Sequence, residues 1–476
     1  MKRILSATTL ALLAACSRNP DADPKMLAEW VHSLYGAIRV ERVSPPVASR
    51  LMVYATSALY AGLATTDAKM TPLSGALNGF PELPAPGQRV DGALVGVYAE
   101  RVVLDSLLRE GLPTTRSALT RLADSLATAR VALGLGEDVR AASEAHGVAI
   151  GNAIVAWSRS DNFDKTRGRK YAAPVGPGLW VNDAPANVYA SQNMSGASEM
   201  VELSNPANVL QAGKTSDRAL VLNRPKRSNA TLPVVNMTGM SEPYWAELRP
   251  FVLSKWNECV IAPPPAWGRD SSAALYPHAR EVFETRRNLT DEQKEIALYW
   301  ADNAGESGTP VGHWISIASQ MVSQRQLPAR DAATILVQSA VAMADAFIAS
   351  WGYKYQFNLI RPRTYIREAI DPTWEPLIPT PPFPEYPSGH STQSSAAAAV
   401  LTAAIGAVPF DDSTSVTIGH KVRRFESFRQ AAEEAGMSRI YGGIHFPVGN
   451  VSGRELGSCI GNKVVERFGG SSEAGK

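Results

Sequence analysis

Cysteine is scarce in this chain: three occur in 476 residues, and none stands in a Cys-x-x-Cys pair or at zinc-ligand spacing with histidine, which excludes a structural zinc site. Excess charge of one sign is also missing. Lys and Arg total 47 against 45 Asp and Glu, and removal of Lys2 and Arg3 with a leader would leave 45 against 45, so nothing electrostatic argues for a nucleic-acid partner. There is no Gly-x-Ser-x-Gly elbow, Walker loop, His-Glu-x-x-His or dinucleotide glycine motif, which removes the common hydrolase, nucleotide and zinc-protease chemistries. No internal repeat is present. Beyond Ala15 no stretch of 18 apolar residues occurs, and the longest candidate, Ala396–Ile405, is ten residues, half of the roughly 20 needed to cross a bilayer. What remains, 45% hydrophobic and 19% charged residues, is the composition of a water-soluble globular protein with a large core, in one domain or several.

The N-terminus is organised for export. Lys2 and Arg3 precede an apolar run from Ile4 to Ala15, too short for a membrane stem and right for a signal peptide over 1–16. The run ends in Leu13-Ala14-Ala15-Cys16, which resembles the lipobox of bacterial lipoproteins, in which the cysteine is acylated and becomes the new N-terminus. Cys16 is therefore the expected lipidation site, residues 17–24 a polar tether, and the expected location an exported, lipid-anchored one beside a membrane. Cys259 and Cys459 either pair in an oxidising compartment or remain two buried thiols.

Helical periodicity dominates the rest. Leu27, Trp30, Val31, Leu34 and Ile38 recur at three- and four-residue steps, break at Ser44-Pro45-Pro46 and resume from Ala48, which predicts a helical hairpin. Helical texture continues to about 166, gives way at 167–268 to an irregular segment rich in Pro, Gly, Asn and Ser, and returns over 269–466. Strand signals are few, and the predicted fold class is all-α, a helical bundle with a long irregular insertion.

Three segments in the last third gather cations and imidazoles among apolar helices. Lys354 and Arg361-Pro362 lie nearly two helical turns apart, which on a continuous helix would put both cations on one side. Pro387-Ser388-Gly389-His390 opens a helix of small residues, Ser394, Ser395 and Ala396–Ala399, suited to close packing. Ser438-Arg439 is followed by His445. Guanidinium forks, an ammonium, a hydroxyl and a helix N-terminus match the oxygens of a tetrahedral oxyanion. The two histidines, His390 and His445, can bind or attack its central atom and move protons. Taken singly, each of these residues is equally a helix cap, a solvated helix end or a satisfied polar group.

As a triple, Lys-x6-Arg-Pro, Pro-Ser-Gly-His and Ser-Arg-x5-His resemble the vanadium haloperoxidase and type-2 phosphatidic acid phosphatase superfamily, and the likeness extends over about Trp30 to Gly461 to its soluble bacterial haloperoxidase-like group. That resemblance implies vanadate as cofactor, with phosphate competing for the site. Lys354, Arg361, Ser388, the Gly389 amide and Arg439 would bind its oxygens, His445 would ligate the metal, and His390 would be the acid–base group. Hydrogen peroxide and halide, or a small organic substrate, would be the reactants. Trp351 and Phe383 resemble residues flanking the halide, with core packing as the alternative. Asp302 resembles a carboxylate that orients an arginine, and His313 is expected to be structural. The superfamily commonly places an acid four residues after the ligating histidine, and here that position is Gly449, followed by Asn450. An uncharged neighbour would weaken His445 as nucleophile and ligand. It would disfavour the alternative reading, a phosphomonoesterase with a phosphohistidine intermediate, and leave room for a non-catalytic oxyanion-binding lipoprotein.

Overall fold

The computed structural model describes residues 21–167, 169–182 and 241–470. Cys16, half of the tether and the middle of the irregular segment lie outside the described residues. Thirteen helices of eight residues or more form among them: α1 (Pro24–Glu41), α2 (Pro45–Ala64), α3 (Gly92–Leu107), α4 (Pro113–Val131), α5 (Glu137–Arg159), α6 (Tyr276–Arg287), α7 (Asp291–Tyr299), α8 (Thr309–Gln324), α9 (Ala329–Phe357), α10 (Pro362–Ala369), α11 (Gly389–Ile405), α12 (Phe428–Tyr441) and α13 (Pro447–Arg467). The strands among the described residues are β1 (Phe410–Asp412) and β2 (Arg423–Phe425), an antiparallel ribbon pairing Phe410 with Phe425. The fold is all-α, as the periodicity predicts, and the described parts of the irregular segment are loop apart from one turn at Trp245–Glu247.

Proline starts both of the first helices, because a missing N–H costs nothing in a first turn. Asp23 caps α1 by accepting from the Lys25 N–H, and the chain leaves through Arg42 at φ 53°. The two predicted helices exist, but they are not a packed hairpin. Each finds its apolar partner elsewhere: α1 lies on α8, while α2 lies on α3 and α9.

Helix α9 joins the two halves, packing against α2 on one side and α11 on the other. It is long and apolar enough to cross a membrane, yet 94% of its most apolar window is buried inside the protein, which makes it the central core helix. Its one wholly buried carboxylate, Asp345, accepts from the Phe251, Val252 and Leu253 N–H groups at 2.7, 2.8 and 2.9 Å. Burial pushes that carboxyl up to about 6 although the three donors pull it down.

Helices α11 and α13 make the closest pairing. The small residues that the sequence shows on α11 are met by glycines on α13. A Cβ on Gly457 would stand 2.0 Å from the Thr392 carbonyl oxygen, so only glycine allows this approach. The pairing begins where the Ser388 N–H donates to the Gly449 carbonyl at 2.9 Å, which sets the start of α11 beside the start of α13. A Cys259–Cys459 disulfide, closing 200 residues of chain, ties the loop after Leu253 to α13 and resolves the open question about these thiols.

Two stability outcomes follow. Asp345→Ala leaves three buried N–H groups without their acceptor and is expected to lower the free energy of unfolding by at least about 3 kcal/mol, with Asp345→Asn in between, measured by urea titration. Reduction is expected to remove about 2–4 kcal/mol, an effect that disappears in Cys459→Ala.

Candidate active site

The cations of the first motif do not share a helix. Helix α9 ends at Phe357, Asn358 turns the chain at φ 46°, and Arg361 is extended because proline follows it. The break, rather than helical spacing, brings Arg361 back beside Lys354. Lys354 is fully buried, and its three N–H bonds go to the Pro384, Glu385 and Pro387 carbonyls. It therefore clamps the turn that leads into Ser388. To donate to an oxyanion it must give up one of these carbonyls. Burial, then the field of Arg361, holds its pKa well below the usual lysine range.

Arg361 donates through Nε to the Phe383 carbonyl at 2.8 Å, and through Nη1 to the Ile444 carbonyl at 2.8 Å and His445 Nε2 at 3.1 Å. The other nitrogen of His445, Nδ1, lies 2.8 Å from Glu385 Oε1, which also accepts from the Phe446 N–H at 2.9 Å. An imidazole with a carboxylate at Nδ1 and a guanidinium at Nε2 is assigned as the neutral Nδ1–H tautomer, with the Nε2 lone pair toward the cations.

His390 is arranged in the same sense. Its Nε2 faces Arg439 Nη1 at 3.3 Å, and its other N–H donates to the Trp300 carbonyl, which also accepts from Arg439 Nη2 at 2.7 Å. Trp300 stacks on His313 at 4.4 Å, and His313 is held between Asp302, 3.0 Å from Nδ1, and Asp412, 2.8 Å from Nε2. Burial opposes the His313 charge, but the two carboxylates outweigh it and raise its pKa to about 10, so it is a buried cation. Asp302 gives its carboxylate to His313, which stacks on Trp300, whose carbonyl in turn holds Arg439. The structural reading of His313 stands.

A pocket of about 80 Å³ opens at this place, and its wall includes Gly389, His390, Arg439, His445, Asp302, Trp351 and Phe383. Lys354, Arg361 and the Ser388 hydroxyl stand behind that wall. Ser388 is the N-cap of α11, accepting from the Ser391 N–H. The Trp351 and Phe383 rings meet at 4.9 Å, and the Trp351 indole N–H is committed to the Ser241 carbonyl, so both offer ring surface. Burial and the surrounding cations together hold His390 and His445 well below the ordinary histidine pKa. A site in which each base is discharged by its cationic neighbours is one that an anion would stabilise.

Against known proteins, residues 334–471 match the model of the vanadium chloroperoxidase second helical-bundle domain. The vanadium chloroperoxidase of Curvularia inaequalis is 32% identical over 125 residues, 21% of this chain and 20% of that protein, so the match spans a fifth of the curated relative. The crystal structure of the first bacterial vanadium-dependent iodoperoxidase superposes with a TM-score of 0.78 at 30% identity, over 96% of this chain and 100% of that one. The chain belongs to the vanadium haloperoxidase family. A holo-type bacterial vanadium-dependent chloroperoxidase, 16% identical, shares the fold with a TM-score of 0.64 over 95% of this chain and 98% of its own.

Within this haloperoxidase-family chain, sequence reasoning missed Glu385. Attention to the position four after His445 pointed to Gly449 and to an imidazole with no acid, whereas the acid comes from 60 residues upstream. A signal was present: Phe383-Pro384-Glu385-Tyr386-Pro387 holds one acid among prolines and aromatics, immediately before Ser388. Asn450 is not the partner either; it accepts from Ser391 Oγ at 3.1 Å and donates to the Gly436 carbonyl. The excess of cations predicts that millimolar orthovanadate or phosphate raises the thermal midpoint by several degrees, equivalent to ~2–4 kcal/mol, and that Arg439→Ala loses the shift in a fluorimetric melt.

Proposed function

We propose that this chain is a vanadate-dependent haloperoxidase that oxidises halide with hydrogen peroxide. The observation that carries the reading is the pair of neutral histidines, each turning an Nε2 lone pair toward a buried guanidinium at one small pocket. The donor set fits a tetrahedral oxyanion, since Arg361, Arg439, the Gly389 amide, Ser388 and Lys354 supply charge and N–H or O–H groups on a backbone that is already fixed. Vanadate held there would supply Lewis-acid activation of peroxide. His445 would provide the metal ligand through Nε2. His390, uncharged at neutral pH by virtue of burial and Arg439, would take the peroxide proton at Nε2. Trp351 and Phe383 would line the halide position with ring surface.

A phosphomonoesterase is the second reading, and Glu385 favours it. The absent acid argued against nucleophilic attack by His445, and a carboxylate 2.8 Å from Nδ1 restores the electron-rich imidazole that such attack needs. The cellular setting we propose is export and lipid anchoring through Cys16, with which the Cys259–Cys459 disulfide is consistent.

The deciding assay runs iodide and bromide oxidation by hydrogen peroxide, with and without orthovanadate, beside hydrolysis of a phenyl phosphate. Vanadate-dependent halide oxidation inhibited by phosphate is expected. His390→Ala should remove it by a factor of about 100 or more while vanadate still binds. Ester hydrolysis inhibited by vanadate, without halide oxidation, would replace the reading with the phosphatase, and silence in both assays would favour a non-catalytic binder.

A further inference from the structure

We propose that Glu385 is the positioning residue of His445, and that Gly449 is the space left for its carboxylate. The proposal rests on the oxyanion-site reading and names the group that sets how strongly His445 binds the central atom.

One oxygen, Oε1, receives both the His445 Nδ1–H at 2.8 Å and the Phe446 N–H at 2.9 Å, so the same carboxylate fixes the ring and the backbone next to it. Phe446 is the N-cap of α13, which places the carboxylate at the positive end of a 21-residue helix. With Nδ1–H committed, Nε2 can only present its lone pair, and a carboxylate at Nδ1 makes that lone pair more basic. Gly449 lies one turn into the same helix. A Cβ built on it would stand 2.4 Å from Glu385 Oε1, so any side chain there would expel the carboxylate, while an acid grown from 449 would enter the volume that Glu385 occupies. Packing alone is a poor reason for the arrangement. Glu385 is completely buried, and its Oε2 makes no hydrogen bond among the described residues, which costs stability. Burial pushes its pKa up to about 7, against the pull of Lys354 and Arg361. A local cost of this kind, placed against the residue that faces the pocket, is what a functional constraint leaves behind.

The test separates vanadate, which would bond to Nε2, from phosphate, which the site would hold by charge and hydrogen bonds. Dissociation constants for both are measured by titration calorimetry, with vanadium-51 NMR for bound vanadate, on the wild type, Glu385→Gln, Glu385→Asp, Glu385→Ala and Glu385→Ala combined with Gly449→Asp. Vanadate affinity is expected to fall about 10–100-fold in Glu385→Gln and Glu385→Ala. Phosphate affinity should stay the same or rise in both, because a negative charge has been removed beside an anion site. The Glu385→Asp variant retains part of the vanadate affinity, and the transplanted acid at 449 recovers most of what Glu385→Ala loses. Equal shifts for the two anions, no shift for either, or no recovery in the double variant would overturn the role of Glu385. A wild type that binds neither anion would overturn the oxyanion-site reading itself, and this role with it.

Discussion

Burying several like charges in one place is the constraint to which the C-terminal half is built. Lys354, Arg361 and Arg439 are sealed from water within reach of two histidines, and cations so placed repel one another and forgo hydration. Part of the answer is that dipoles surround them. The carbonyls of Phe383, Pro384, Glu385, Pro387, Trp300 and Ile444 all point their oxygens at these three side chains. Such oxygens come from turns and helix ends, because carbonyls inside a helix are already used. The segments around the site are therefore irregular for an electrostatic reason.

The rest of the cost falls on the histidines, which give up their protons. A buried imidazole among cations is neutral, and in the neutral ring one nitrogen is a donor and the other a lone pair. Which is which depends on what lies on the far side of each ring: a carboxylate behind His445 and the Trp300 carbonyl behind His390. His313 shows the converse. Between Asp302 and Asp412 the same side chain is a cation and serves as a strut under Trp300. Three histidines within one bundle differ in charge solely because their neighbours do.

Helices were legible in the sequence because apolar spacing and proline placement record them directly, and α1 and α2 lie where the Leu27–Ile38 spacing and the Ser44-Pro45-Pro46 break put them. Partner choice was not legible. Nothing in Leu27 to Ile38 says that α1 will lie on α8 instead of α2, since an apolar stripe records that it is covered and not by what. The candidate site was legible wherever motif residues are close in sequence, as at Ser388-Gly389-His390. It failed where contact is made across the fold. Lys354 and Arg361 meet through a helix break, and Glu385 reaches His445 over 60 residues. A motif fixes residue types along the chain, whereas a hydrogen-bond acceptor can arrive from any segment that the packing brings near.

Glu385 also removes an easy discrimination between the two oxyanion chemistries, because a basic, correctly oriented Nε2 serves metal ligation and attack on phosphorus alike. What separates them is the space in front of that nitrogen. Peroxide and halide are small, while a phosphate ester brings a leaving group that must project from the pocket. The volume is about 80 Å³, room for a handful of water-sized molecules, and Pro45, Pro310, Pro379, Pro381 and Pro382 stand in its wall. Proline has one fixed backbone dihedral and little freedom to yield, so a wall with five of them resists widening around a bulky ester. A tetrahedral anion with one small reactant beside it suits such a pocket, which supports the peroxidase reading we propose although His445 is equipped for both.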